Sequence, residues 1–355
     1  MSKEYDIAMD NLIFRCITGS RAYGTNNEQS DTDETGIFIA PPDYTISCYQ
    51  NIKQVQLTKC DGTIYELRRF MKLCGECNPN IIELLFTDTK NILYQHPIMK
   101  ILFKNRHLFL SKKAKFTFSG YAVAQLKRIK GHNRWLNNPQ PDDPPNLLNF
   151  IKMLSNYKIE VDGEIGLSQE LITTTFLVKH SHTIYKIYSH DSFQKAWISD
   201  DGENICSIKE PEDLTKSKFV GTINVSYDDF AKARKKWKEY WNWKNNRNIK
   251  RSLLEEEHGY DVKHAMHLVR LLLMAKEILT KGEVIVNRPD KELLLSIRNG
   301  EWSYERLVKF AFEMDILLDV FYDESTLPHS VDKTKIDDLY RQILSLFWEE
   351  KGLKI

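Results

Sequence analysis

From Thr89 to Pro141 the chain has no aspartate or glutamate, although overall it is balanced, with 50 Lys and Arg against 49 Asp and Glu. That window holds eleven Lys and Arg, and a local positive field of this kind suits an anionic partner. Long apolar runs are missing as well. None approaches the roughly 20 residues that a membrane-spanning helix needs. The opening MSKEYDIAMD is charged from its third residue and has no apolar stretch, so no signal peptide is expected. Cysteine is scarce: of six, only Cys74 and Cys77 are close together, which argues against a disulfide framework and for a reducing, cytosolic setting, the host cytosol if the chain is viral. There is no Gly-x-Gly-x-x-Gly, no Walker loop and no Gly-x-Ser-x-Gly, so the common dinucleotide, P-loop and serine-hydrolase devices are excluded.

What is present begins with strand-like segments. "NLIFRCITG" (Asn11 to Gly19) is β-branched and ends at a glycine turn, and "TDETGIFIAPP" forms a second strand closed by Pro41-Pro42. A hairpin follows, with Val55 and Leu57 on one arm, Asp61-Gly62 near the turn and Ile64 on the other. Leu67, Phe70, Met71, Leu73 and Cys74 then fall at helical spacing, Asn78-Pro79 breaks the helix, and "NIIELLF" makes a short one. The expected fold is α/β: a small mixed-sheet domain over residues 1–95, then a mainly α-helical region over 96–355. Helical patterns cover Pro97 to Leu110, Ser111 to Leu136 and Leu147 to Ser155, with a small β-containing insertion over 172–226. Helices resume at about Asp228 and run to the C terminus. One of them carries a second basic stretch, Ala233 to Arg251, with eight cations, Glu239 as its one acid, and Trp237, Tyr240, Trp241 and Trp243. Spacing of i, i+3, i+4 favours core packing for Trp237, Tyr240 and Trp241.

The chemistry concentrates in "GSRAYGTNNEQSDTDETGIFI" (Gly19 to Ile39). Asp31 and Asp33 occupy alternate positions at the start of a strand, where like charges repel unless a cation sits between them. A glycine lets backbone approach a phosphate closely, and the Ser20 hydroxyl can bond its oxygens. The two aspartates suit divalent ions, Mg²⁺ or Mn²⁺, which stabilise both oxygens of a phosphoryl displacement. Such a site calls for a third carboxylate on a neighbouring strand. Glu66, at the end of "GTIYEL", is the first candidate and Asp61 the next.

These residues resemble the DNA polymerase beta-type nucleotidyltransferase superfamily, whose signature is Gly-Ser, a spacer, Asp-x-Asp and a later acid. "GSRAYGT…SDTDETGIFIAP" followed by "YELRRFMKLCGECNPNIIELLF" is similar to the predicted nucleotidyltransferase family of bacteria and large phages that is linked in part to RNA repair. The stretch Gly259 to Trp302 resembles that family too. The resemblance implies metal binding at Asp31, Asp33 and the third acid, Glu66, which stands where aspartate is commoner. It also implies that Gly19, Ser20 and Arg21 contact a nucleoside triphosphate. The implied reaction is transfer of a nucleoside monophosphate to a hydroxyl. The basic segments 89–141 and 233–251 favour RNA, such as tRNA, as acceptor. Protein nucleotidylation and an inactive, nucleic-acid-binding version of the fold are the rivals.

Two other clusters compete. "EEEHGYDVKHAMHLVR" (Glu255 to Arg270) contains His258, Asp261, His264 and His267, but it is not His-Glu-x-x-His, and Lys263 and Arg270 lie close to the same side. Lys263, His267 and Arg270 are therefore expected to face the cleft and contact phosphate. Cys74-Gly-Glu-Cys77 has no second pair and is expected to serve helix packing.

Overall fold

The computed structural model describes residues 3–28, 30–58, 60–154, 160–161, 164–165, 169–189, 195–206, 217–247 and 249–353. The chain forms two compact units. One combines residues 1–134 with 250–355, and the other is 135–249. Residue 95 lies inside the first, at the end of its last strand, and the span 172–226 lies inside the second.

In the first unit, α1 (Lys3–Asp10) leads into β1 (Leu12–Thr18), which buries Ile13, Phe14 and Cys16. Helix α2 (Gly19–Tyr23) is a single turn, followed by a loop and β2 (Asp33–Phe38). The connection onward contains α3 (Pro42–Thr45), opened by a proline whose fixed φ suits a first helical position, and β3 (Gln54–Gln56). Next come β4 (Gly62–Glu66) and α4 (Leu67–Gly75). The sheet is completed by β5 (Ile92–Gln95), in the order β3-β4-β2-β1-β5. Strands β2 and β4 are parallel, and the other neighbours are antiparallel. A parallel pair needs a long connection, which is the structural role of α3 and β3.

Helix α4 buries Leu67, Phe70, Met71 and Cys74 of the expected set, while Leu73 is partly buried. Asn78 caps α5 (Pro79–Ile82) through the Asn80 N–H, and a 3-10 turn at Glu83–Phe86 follows. Cys74 and Cys77 are buried free thiols, in agreement with a packing role. Helices α6 (Met99–Lys104) and α7 (Ala114–Asn137) come next.

The second unit, described by itself, is built on a four-stranded antiparallel sheet in the order β6-β11-β10-β9. Its elements are β6 (Ile151–Met153), a two-stranded ribbon of β7 (Glu160–Val161) and β8 (Glu164–Ile165), α8 (Gln169–Thr174), β9 (Thr175–Lys179), β10 (Ile184–Ser189), β11 (Lys218–Val225) and α9 (Tyr227–Asn245). The helix expected over Leu147–Ser155 is instead a 3-10 turn, Leu147–Phe150, followed by β6, with Ser155 outside the described residues. Ile151 and Met153 pair with Val225 and Ile223, so a distant strand overrides the local pattern. Parts of the expected β-containing span, residues 190–194 and 207–216, also fall outside the described residues. On α9, Tyr240 is buried, and the indole N–H groups of Trp237 and Trp241 both donate to the Pro141 carbonyl, at 2.9 and 3.0 Å.

The chain then returns to the first unit through α10 (Ile249–His258), α11 (Val262–Lys281), α12 (Lys291–Arg298), α13 (Tyr304–Glu324) and α14 (Lys333–Glu350). Helix α11 is apolar on most of its circumference and buries residues from Val262 to Leu279, which marks it as the central helix. One continuous core joins Ile13, Ile37, Leu67 and Phe70 of the sheet layer to Met266, Val269, Leu307 and Phe347. The Trp348 indole donates to Ala40 O at 3.1 Å, tying α14 to the end of β2. No helix among the described residues is long and apolar enough to cross a membrane.

Candidate active site

The site forms where β1 ends. Gly19 has φ +68°, a left-handed conformation that side chains disfavour, and a Cβ there would overlap Oδ2 of Asp33. The overlap follows from register, because Thr18 lies opposite Asp33 on the antiparallel β1–β2 pair. Ser20 stands beside this contact, partly exposed.

Asp33 is the first residue of β2 and is partly buried, whereas Asp31 precedes the strand and is exposed. The loop that carries Asp31 is pinned by Arg21. Its Nη2 donates to Ser30 O at 2.9 Å and its Nε to Asp31 O at 3.3 Å. Arg298 on α12 holds the other end of the loop by donating to Thr25 O at 2.6 Å. Arg21 thus grips the backbone of the loop that presents an acid, a contact that the sequence did not reveal.

A third carboxylate joins the pair, and it is Asp61. In the parallel register, Glu34 faces Gly62 and Phe38 faces Glu66. Asp61 therefore sits level with Asp33, and its carbonyl accepts the Glu34 N–H at 3.0 Å. Burial raises the Asp33 pKa above the ordinary aspartate value; Lys263 opposes that rise, while Asp61 and Asp31 add to it. Asp33, with the Asp61 and Asp31 charges both acting on it, belongs to an oxygen-donor set that a hard divalent cation would neutralise.

The structure does not bring Glu66 to this cluster. It lies opposite Phe38, five positions along β2 from Asp33, or about 16 Å at strand rise. There it caps α4, its Oε2 accepting from Arg68 N at 2.8 Å and Arg69 N at 3.4 Å. Burial pushes its carboxyl up to about 7, against the lowering effect of those backbone donors.

The three α11 residues separate in role. Lys263, exposed on the first turn, lies close enough to Asp33 to lower its pKa. His267 is held well below the ordinary histidine value by burial first, and by the neighbouring basic groups Arg270, Lys263, His264 and Arg298. A neutral imidazole among cations marks a region that favours an anion. Arg270 is not exposed to a cleft. It is buried, its Nη1 donates to Glu83 Oε1 at 2.6 Å, and its guanidinium lies 3.9 Å from the centre of the Tyr23 ring. The Tyr23 hydroxyl donates to Glu83 Oε2 at 2.6 Å, so this trio locks α2 onto α11.

Of the basic segments, Lys127, Arg128 and Lys130 on α7 are exposed. Elsewhere in the acid-free window, Lys113 and Lys115 pair with Glu76 and Asp319, acids supplied from outside it.

A glycine turn, three acids at one end of a mixed sheet and a cationic helix facing them can hold a triphosphate with its metal ions. No curated protein and no solved structure matches the chain. The family match covers residues 1–137, so the likeness expected for Gly259 to Trp302 lies outside it. Over residues 1–137, which carry the five-stranded sheet, the Gly19 turn and all three aspartates, the chain matches the RNA repair pathway DNA polymerase beta family and so supports a polymerase beta-like nucleotidyltransferase.

Proposed function

We propose that the protein transfers a nucleoside monophosphate from a nucleoside triphosphate to a hydroxyl of RNA, with pyrophosphate leaving. The observation that carries this reading is the convergence of Asp31, Asp33 and Asp61 beside Gly19. Their all-oxygen donor set and mutual repulsion fit Mg²⁺ or Mn²⁺. Such ions, held by these three aspartates, would supply charge stabilisation to the attacking and leaving oxygens.

The chain's own residues do the rest. Gly19 leaves room for phosphate oxygens against bare backbone, and Ser20 offers a hydroxyl donor. Arg21 and Arg298 hold the loop that presents Asp31, so its carboxylate is positioned before substrate arrives. Lys263 supplies positive charge opposite the acids, and His267 extends that face. Arg270, Glu83 and Tyr23 keep the turn and α11 in register. In this reading the catalytic fold is residues 1–95, and the helical region that follows adds the cationic wall.

RNA is the favoured acceptor because the matched family is described by an RNA repair pathway and because exposed cations cluster on α7 and α9. Incubation with labelled triphosphates, Mg²⁺ or Mn²⁺ and mixed RNA tests this directly. Label on RNA supports the reading, label on the protein favours nucleotidylation of protein, and no label with retained RNA binding identifies an inactive fold.

A further inference from the structure

A second group of ligand-type side chains gathers where α7, α10 and the start of α11 meet, within the first unit. His132, Glu255 and Asp261 place one donor atom each within 4.8 Å of one another. His132 Nδ1 is 3.3 Å from Glu255 Oε1. His264 Nε2 is 3.5 Å from Asp261 Oδ2. Both carboxylates are buried, with Glu255 only 4% and Asp261 only 3% exposed.

We propose that His132, Glu255 and Asp261 form a structural site for a divalent transition-metal ion, zinc by its donor set, with His264 beside Asp261 and the site separate from the three aspartates at the sheet end. The spacing supports it. Ligands about 2.1 Å from a tetrahedral ion lie roughly 3.4 Å apart, close to the 3.3 Å between His132 Nδ1 and Glu255 Oε1. One imidazole and two carboxylates carry a formal charge that balances a divalent ion, and a mixed N/O set of this kind suits zinc better than magnesium.

The backbone around the cluster is already organised. Oδ1 of Asp261 accepts the His264 N–H at 2.9 Å and caps α11, which leaves Oδ2 facing the His264 ring. Asn133 Nδ2 donates to Gly259 O at 2.9 Å and fixes the short link between α10 and α11. The two cations that speak against a metal on this helix, Lys263 and Arg270, are engaged with acids elsewhere. Arg270 pairs with Glu83, and the charge of Lys263 acts on Asp33. The ion would join α7 and α10 to the N-cap of α11, two residues from the lysine that faces the three aspartates.

The test uses the full chain, purified without a polyhistidine tag and dialysed. Elemental analysis across manganese to zinc should find about one equivalent of zinc per chain. After removal by a chelator, Co²⁺ should restore a tetrahedral d–d spectrum without the intense sulfur charge-transfer band that a cysteine ligand would give. His132→Ala and Glu255→Gln should each lower metal content at least tenfold. Asp261→Asn keeps a capping oxygen, so it should lose metal while keeping its circular dichroism. The proposal is overturned if the wild-type chain neither retains a transition metal nor gives a cobalt spectrum. It is equally overturned if metal content is unchanged in the Asp261→Asn and His132→Ala proteins, or if the cobalt spectrum shows thiolate ligation. Should His132→Ala fail to fold, the wild-type cobalt spectrum and Asp261→Asn still decide.

Discussion

An added methyl group on Gly19 would overlap the Oδ2 oxygen of Asp33, so the turn after β1 and the first carboxylate of β2 are in direct contact. That contact makes the turn and the acid one object. Moving either displaces the other.

Gly19→Ala should therefore remove most transfer activity, although it adds only one carbon. Forcing a left-handed conformation on alanine costs about 1–2 kcal/mol, and the clash falls on Asp33, one of the three proposed metal-binding acids. Ser20→Ala should raise KM for triphosphate modestly, since backbone N–H groups remain. Steady-state kinetics with thermal melts separates the two, and equal mild effects would place the triphosphate elsewhere.

Asp61→Asn should abolish transfer, as should Asp31→Asn and Asp33→Asn, with each protein still folded. Glu66→Gln should leave kcat close to wild type, because Glu66 lies at the other end of the parallel pair. Single-turnover rates on the four variants decide which residue is the third acid. A large kcat loss confined to Glu66→Gln would return the role to that side chain.

Glu66 also predicts a pH effect on stability. Its carboxyl is raised from 4.5 to about 7 on folding, so the folded state binds its proton more tightly. The favourable contribution is complete below pH 4.5 and is lost as pH rises through about 7, a change of about 3 kcal/mol. Glu66→Gln keeps a capping oxygen and has no charge to bury. Denaturant melts between pH 5 and 8 should show a flatter stability profile for the variant, and an unchanged profile would assign the wild-type trend to other groups.

Arg270→Met should destabilise the protein by about 3–5 kcal/mol, because it leaves Glu83 buried without its partner. Adding Glu83→Gln should recover part of that loss. If Arg270 instead contacts phosphate, the single variant will raise KM at unchanged melting temperature.

Replacing Lys127, Arg128 and Lys130 with Gln should weaken RNA binding and flatten its salt dependence, by roughly 0.7 to 0.9 units of slope for each phosphate that is no longer neutralised. Triphosphate affinity should survive. Loss of triphosphate binding with RNA binding intact would place this cluster at the catalytic site and remove the main support for RNA.

The proximity of Gly19 and Asp33 was legible in the sequence because they belong to one turn and the strand it feeds. Their arrangement depends on short-range geometry: a glycine at a positive φ, and an acid where the next strand begins. The strands, the helix of Leu67 to Cys74 and most of the later helices were legible for the same reason, since period and capping are local properties. Leu147 to Ser155 was misread because a short apolar run fits either period, and the partner that makes it a strand lies near Val225.

What tertiary structure alone decided is which residues meet across long separations. Asp61 and Glu66 both belong to the β4 arm, and only the register against β2 says which end faces Asp33. A parallel register is set by a long connection rather than a turn, so no local signal announces it. Arg270 looked like a phosphate contact by its place on α11, yet it is bound to Glu83, 187 positions away. A buried cation takes the nearest acid the fold supplies, and that acid is chosen by packing of the whole core rather than by neighbours in the chain.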